Sequence, residues 1–216
     1  MKDLSLTQQY FLCVLTKGGK IPAMGLEKVL CLSASGVLEL LLDQILEYDG
    51  KKLTVLSELP EQKEYLRPVY EVVKRKQPVR FETVVEYFSV ALTSKNINEL
   101  TESIGDSLAK CGCTGREQGG FLGAKKLYPP REQAVDGVVQ SIRAELLEDG
   151  ELSEDVVALT ALLNKSGDLK QYFSAYEKET LKKRLREIRK NPQNEMIRKV
   201  SEYIDTLFLM VIVAAT

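Results

Sequence analysis

Histidine and tryptophan are both absent from this chain of 216 residues. Without imidazole there is no Ser–His or Cys–His nucleophile pair, no histidine acid–base chemistry and no zinc site that needs a ring nitrogen. No nucleophile, base and orienting group that belong together can be named, so no catalytic residue is assigned and the chain is not expected to be an enzyme. Charge of one sign is also missing. The net charge of −1 creates no global field toward nucleic acid or anionic lipid, so any such attraction must come from a local patch. Cysteine is scarce, at four residues. Cys13 and Cys31 sit in apolar helical runs and read as small hydrophobes. Cys111 and Cys113 form a lone CxC with no second pair and no histidine, so no metal is expected. No signal peptide opens the chain, which points to a reducing, cytoplasmic compartment.

Long apolar runs are lacking too. The longest, Leu207 to Ala215, falls short of the roughly 20 residues a membrane span needs, and Glu202 and Asp205 precede it. It reads as a core helix. Gly18-Gly19-Lys20 lacks the upstream glycine and the Ser/Thr of a phosphate loop, and Gly115 to Gly123 contains no GxGxxG. The acids Glu148, Asp149, Glu151, Glu154 and Asp155 lack the alternating spacing of a calcium loop; a turn and a helix start account for them. No cofactor is implied.

Helical signals are plentiful. Ser5 and Gln8 are spaced as a capping box for a first helix through Tyr10, Phe11, Val14 and Leu15, stopped at Gly18-Gly19. A second helix follows Pro22, from about Gly25 to Asp43, with Leu26, Val29, Leu30, Val37, Leu38 and Leu41 on one face. Within it, Ser33, Ala34, Ser35 and Gly36 leave room for close approach by another element. Asp49-Gly50, between two β-prone runs, predicts a two-residue hairpin turn. Helices are expected at Lys63–Lys76, with Pro68 in its first turns where a missing N–H costs least, and at Arg80–Leu92 and Ile97–Lys110. Others are expected from about Glu132 to Leu147, from an N-cap at Ser153 to Gly167, from Tyr176 to Lys190, and from Asn194 to the end. With no internal repeat and no linker, the expected fold is mostly α: a single-domain multi-helix bundle with short β-hairpins at about 45–56 and 114–128.

One segment breaks this pattern. Leu108 to Arg131 is glycine-rich, and each glycine weakens a helix by about 1 kcal/mol relative to alanine. There Phe121, Leu122 and Leu127 accompany Lys125 and Lys126. Apolar and cationic side chains in one loop suit a membrane surface or a partner protein; a surface hairpin whose apolar residues fold back onto the helices accounts for them equally. Lys182 to Lys190 is the densest basic run, with Leu181, Leu185 and Ile188 spaced to pack inward. It reads as a solvated face, or as a contact for anionic lipid or nucleic acid. Two helices followed by the Asp49-Gly50 hairpin also resemble the element order of a winged helix, but Lys28 is the only base the second helix offers.

Taken together, these segments resemble the Golgi phosphoprotein 3-like family. Leu4-Ser5-Leu6-Thr7-Gln8-Gln9-Tyr10-Phe11-Leu12 is similar to its Leu-Thr-Leu-x-Glu-Glu-x-Leu-Leu opening, and Ser35-Gly36-Val37-Leu38-Glu39-Leu40 to its small-small-x-Leu-x-Glu-Leu helix. Pro60 stands where the family has Pro-Thr-Gly-Asp, of which the last three are missing. Lys126-Leu127-Tyr128-Pro129 is similar to Thr-Arg-Tyr-Pro, and Leu159-Thr160-Ala161-Leu162-Leu163 with Gly167 and Tyr172-Phe173 to Leu-x-Ala-Leu-Leu…Gly…Leu-Phe.

The resemblance implies a mostly helical single domain over the whole chain, on the cytoplasmic face of membranes. Eukaryotic members bind phosphatidylinositol 4-phosphate and the cytosolic tails of glycosyltransferases. They self-associate and touch the membrane through a hairpin, where Thr114–Pro130 falls. Their headgroup residues do not carry over: the tryptophan falls near Met24-Gly25, the arginine of the second helix on Ser33, and two basic positions on Asn98 and Thr101. Lacking the long charged N-terminal tail as well, the chain looks more like a bacterial relative.

The expected function is therefore a non-enzymatic peripheral membrane or adaptor protein whose anionic-lipid specificity is altered or lost. The candidate lipid or anion contacts are Lys17, Lys20, Lys28, Lys125 and Lys126. The candidate hairpin contacts, for membrane or oligomer, are Phe121, Leu122 and Leu127. The expected partners are anionic lipid headgroups, and a protein or second copy met through the hairpin. The alternative is a winged-helix-like nucleic-acid module using the Lys182–Lys190 face, which makes nucleic acid the less favoured partner.

Overall fold

The computed structural model describes residues 4–22, 25–89, 95–119, 125–148, 152–190 and 202. Over these residues the chain is mostly helical and carries two small antiparallel hairpins. The opening helix, α1 (Leu6–Val14), starts where its capping box places it, with the Ser5 N–H donating to Gln8 Oε1 at 3.2 Å. The second, α2 (Leu26–Leu42), runs from Gly25 to Asp43 as its periodicity predicts.

This second helix is the axis of the molecule. Every residue from Leu30 to Leu40 is buried, including Ser33 and Ser35, whose hydroxyls donate to the carbonyls of Val29 and Leu32. A helix apolar all round belongs in a core, and α2 is flanked accordingly. It packs against α1, α3 (Arg67–Lys76), α4 (Phe81–Ser89) and α7 (Glu154–Lys165). The small-residue run serves close approach: a Cβ on Gly36 would lie 3.1 Å from Val69 Cγ2 on α3.

The first hairpin pairs β1 (Leu46–Tyr48) with β2 (Leu53–Val55), Tyr48 opposite Leu53. Its turn differs from the sequence expectation. The Asp49 N–H reaches the Lys52 carbonyl at 3.2 Å, so the central pair is Gly50-Lys51 rather than Asp49-Gly50. The reason lies in the Asp49 carboxylate, which accepts from the N–H groups of Lys51 and Lys52 and so fixes Asp49 at the first turn position.

The helix expected over Lys63–Lys76 is divided. Glu61–Leu66 forms a 3-10 helix, η1, and α3 begins afresh at Arg67. Pro68 is the cause: a continuous α-helix would need a proline N–H directed at Glu64. The helix α5 (Lys95–Lys110) leads into the second hairpin, β3 (Glu117–Gly119) and β4 (Lys125–Leu127), with Glu117 opposite Leu127. Then follow α6 (Glu132–Leu146), α7 capped by Ser153 Oγ accepting from the Val156 N–H at 3.3 Å, α8 (Leu169–Tyr172) and α9 (Ala175–Lys190). The short α8 was not foreseen. The expected helix from Asn194, and the ends of those expected at 90–92, lie outside the described residues, as do Phe121 and Leu122.

Candidate functional site

The second hairpin is fastened to α5 by one aromatic ring and one carboxylate. Tyr128, just after β4, is buried with its ring against Gly105, where a Cβ would stand 2.4 Å from Tyr128 Cδ2. Its hydroxyl donates to Asp106 Oδ1 at 2.8 Å. The same carboxylate receives Lys126 Nζ at 3.2 Å and Arg116 Nε at 3.3 Å, so both sides of the hairpin converge on Asp106. Burial alone would raise the Asp106 pKa. The hydrogen bonds from Tyr128 and Lys126, with the charges of Lys126 and Arg116, bring it below the usual value instead.

The other anchor is the glycine turn after α1. The Tyr128 N–H donates to the Gly19 carbonyl at 2.9 Å. Gly19 has φ +74°, and any Cβ there would sit 2.3 Å from Pro129 N, so only glycine fits between Lys17 and Lys20 at this junction. Lys17 and Lys20 are thereby held beside the root of β4. Lys125 stands on the same strand, about 10 Å from Tyr128 at ~3.3 Å per residue. All three lysines are exposed, and among the described residues none has an acidic partner. The remaining candidates are paired. Lys126 bridges Glu102 at 3.0 Å as well as Asp106, and Lys28 is bonded to the fully buried Asp168 of the α7–α8 turn. Leu127 is half-buried, its side chain over Gly119 of the paired strand.

A second polar centre adjoins the first along α5, with Asp106 on its lining. A cleft of about 790 Å³ opens between the start of α1, η1, α5 and the start of α7, lined among others by Gln8, Tyr65, Ser107, Lys110 and Asp155. Two of its lining residues, Lys63 and Tyr65, are bonded to Glu39, which is 3% exposed and accepts from the Thr7 N–H at 2.8 Å, from Lys63 Nζ at 2.7 Å and from the Tyr65 hydroxyl. Lys63 also meets Asp43 at 2.6 Å. Burial would lower the Lys63 pKa, and the two carboxylates overcome it, so it stands above its ordinary value. Asp155 is pushed up to about 6 by burial first, then by the negative charges of Glu39 and Asp43 against the opposing pull of Lys63.

Neither centre was singled out from sequence. Glu39 carried a usable signal, as the one charged residue in the run Leu30–Leu40. Asp106 carried none, since its partners lie 10 to 22 residues away on another element. The CxC shows two free thiols, and no cluster of three or more metal-binding side chains exists among the described residues.

The family model of Golgi phosphoprotein 3 (GPP34) matches residues 6–204. The chain belongs to the Golgi phosphoprotein 3 family. Comparison with curated proteins gives no match. Membership of this family supports a Golgi phosphoprotein-like adaptor, the family being one of non-catalytic adaptor and lipid-binding proteins. No helix among the described residues is long and apolar enough to cross a membrane.

Ser33, Asn98 and Thr101, the positions that the sequence resemblance sets against the family's headgroup cations, carry no cationic side chain. Ser33 is buried and bonded within α2, Asn98 is exposed and Thr101 half-buried on α5. The winged-helix alternative finds no support either. With Leu30–Leu40 buried throughout, α2 has no free face to enter a nucleic-acid groove. On α9, Leu181 and Ile188 pack inward as expected, while Lys182 pairs with Glu179 at 2.9 Å and Lys183 faces Glu187 at 3.8 Å.

Proposed function

We propose that this Golgi phosphoprotein 3 family member is a non-enzymatic peripheral membrane adaptor. It meets anionic lipid headgroups with Lys17, Lys20 and Lys125, and a protein partner or second copy through the β3–β4 hairpin. The observation that carries this reading is the Gly19–Tyr128 backbone bond, which ties the Lys17–Lys20 turn to the root of the strand bearing Lys125. Lys125 stands about 10 Å along the strand from that junction, close to one Debye length at physiological salt, so the three cations act on a charged surface together. The substituted positions Ser33, Asn98 and Thr101 provide no cationic fork for a phosphate, and selectivity for phosphatidylinositol 4-phosphate is altered or lost.

Flotation with vesicles containing phosphatidylserine, against neutral vesicles, tests the reading. Each lysine near such a surface is worth about 1 kcal/mol, so the triple variant Lys17→Glu/Lys20→Glu/Lys125→Glu is expected to bind about a hundredfold more weakly. Binding of the unaltered chain is expected to fall with salt. Equal binding by the variant, or none by either protein at low salt, overturns the proposal.

A further inference from the structure

The two thiols of the CxC lie where α5 hands the chain to the second hairpin. The Cys111 N–H reaches the Ser107 carbonyl at 3.2 Å, Gly112 the Ala109 carbonyl at 3.1 Å and Cys113 the Leu108 carbonyl at 2.9 Å, which closes the helix end. Gly112 takes φ +77° in this turn, and the chain reverses so that Cys111 Sγ and Cys113 Sγ stand 3.3 Å apart. Cys111 is half-buried at the rim of the cleft beside Ser107 and Lys110; Cys113 is buried. The other two thiols, on Cys13 and Cys31, are fully enclosed in the core, and burial raises both pKa values, that of Cys13 to about 12. Accessible thiol chemistry in this molecule therefore converges on one pair.

We propose that Cys111 and Cys113 are a reversible oxidation site, closed to an intramolecular disulfide by a low-molecular-weight disulfide such as oxidised glutathione. The accessible Cys111 thiolate attacks one sulfur of the oxidant and expels one small thiol, leaving a mixed disulfide on Cys111. Cys113 then loses its proton, attacks Cys111 Sγ and expels the second small thiol. Two S–H groups become one S–S bond, and the oxidant takes up the two electrons and two protons. Burial and the neighbouring Cys111 raise the Cys113 pKa to about 11, which opposes the second step, while the 3.3 Å separation of the sulfurs favours it. In a reducing compartment such a bond is transient and sensory, not structural.

The consequence falls on the hairpin. A disulfide needs the sulfurs at about 2.05 Å, so Cys111 Sγ and Cys113 Sγ must approach by more than an ångström across the turn. The Cys113 carbonyl accepts from the Arg131 N–H at 2.9 Å, and the Gly115 N–H donates to the Pro129 carbonyl at 2.7 Å, so that movement passes directly into the hairpin root. As a control on docking, this effect rests on the function proposed above; the oxidation itself does not.

The experiment treats the whole chain with oxidised glutathione and reads intact mass and free thiols, then hydrogen exchange across residues 108–131. Expected are a loss of two hydrogens, a fall from four to two in the thiols titrated after denaturation, full reversal by dithiothreitol, and altered exchange at the hairpin root. Cys111→Ser is expected to abolish all of these, and Cys113→Ser to stop at a glutathione adduct on residue 111. Four thiols retained, an adduct that never resolves in the unaltered chain, a linkage between two chains, or hairpin exchange that is unchanged on oxidation each overturn the proposal. The mass readout needs no lipid, so failure of vesicle binding leaves it standing.

Discussion

Glu39 holds three donors from two different elements, the Thr7 N–H of α1 and the Lys63 ammonium and Tyr65 hydroxyl of η1, inside the buried stretch of α2. A buried acid is tolerated when its oxygens are hydrogen-bonded, and here the Thr7 N–H serves Oε2 while Lys63 and the Tyr65 hydroxyl serve Oε1. Glu39→Leu would strip Lys63 of its buried carboxylate, leave the Thr7 N–H unpaired and reduce the Tyr65 hydroxyl to its bond with Ser5 Oγ. Breaking one side of a fully buried pair costs about 3–5 kcal/mol; because Lys63 is 21% exposed, about 2–3 kcal/mol is expected. For a chain of this size that is a fall in melting temperature of about 5–10 °C, read by calorimetry. An unchanged melting temperature would show the network to be ornamental. Asp155 makes the opposite prediction. Its pKa of about 6 in the folded chain exceeds that of an unfolded aspartate, so the folded state holds the proton longer. This group then subtracts stability as pH rises from about 4 to 6, and the deficit persists above that. Asp155→Asn should melt above the unaltered chain at pH 7.5, with the difference shrinking as pH falls through 6 and vanishing only below about pH 3.5, under the unfolded aspartate value. A variant that melts lower at pH 7.5 would sink the assignment.

At the scale of elements, the hairpin is held by what α5 lacks. Gly105 gives up helix propensity so that the Tyr128 ring can lie on the backbone, and Asp106 beside it collects Tyr128, Lys126 and Arg116. Gly105→Ala gains about 1 kcal/mol of propensity but drives a methyl group into a ring that its own hydroxyl pins, an overpacking cost of about 1–3 kcal/mol. The expected signature is local: faster hydrogen exchange at Lys125–Leu127 and Tyr128, with α2 unaffected. Exchange that is equally fast in both regions, or unchanged in the hairpin, contradicts this docking. These features mark the limit of what residues disclose in order. The bounds of α2, the Ser153 cap and the hairpin within 114–128 were legible because periodicity, capping and glycine punctuation act over a few residues. The Gly50-Lys51 turn was missed because an Asp49 side chain outcompeted the Asp-Gly pattern, and the break before Arg67 because a proline expected inside one helix began another. Pairings such as Lys28 with Asp168, 140 residues apart, leave no local trace. From sequence, Lys28 and Lys126 look as free as Lys17, Lys20 and Lys125; only packing divides them.

That division governs the molecule as a whole. With a net charge of −1, long-range attraction to an anionic surface is negligible, and whatever draws the chain to lipid acts within about a Debye length of particular side chains. Lys125 and Lys126 are neighbours on β4, and replacing either by glutamate changes the total charge by the same amount. A global field would therefore weaken vesicle binding equally in both variants. The local geometry requires them to differ. Lys125 is exposed with no acidic partner among the described residues, so Lys125→Glu should weaken binding to phosphatidylserine vesicles while leaving the melting temperature where it was. Lys126 already faces Glu102 and Asp106, so Lys126→Glu places a third carboxylate between two others and loosens the hairpin from α5. Its melting temperature should fall, and its affinity should fall only as far as the hairpin root is displaced, which hydrogen exchange reports independently. Equal losses of affinity with equal, unchanged stabilities would return the lysines to a single class and leave net charge in control.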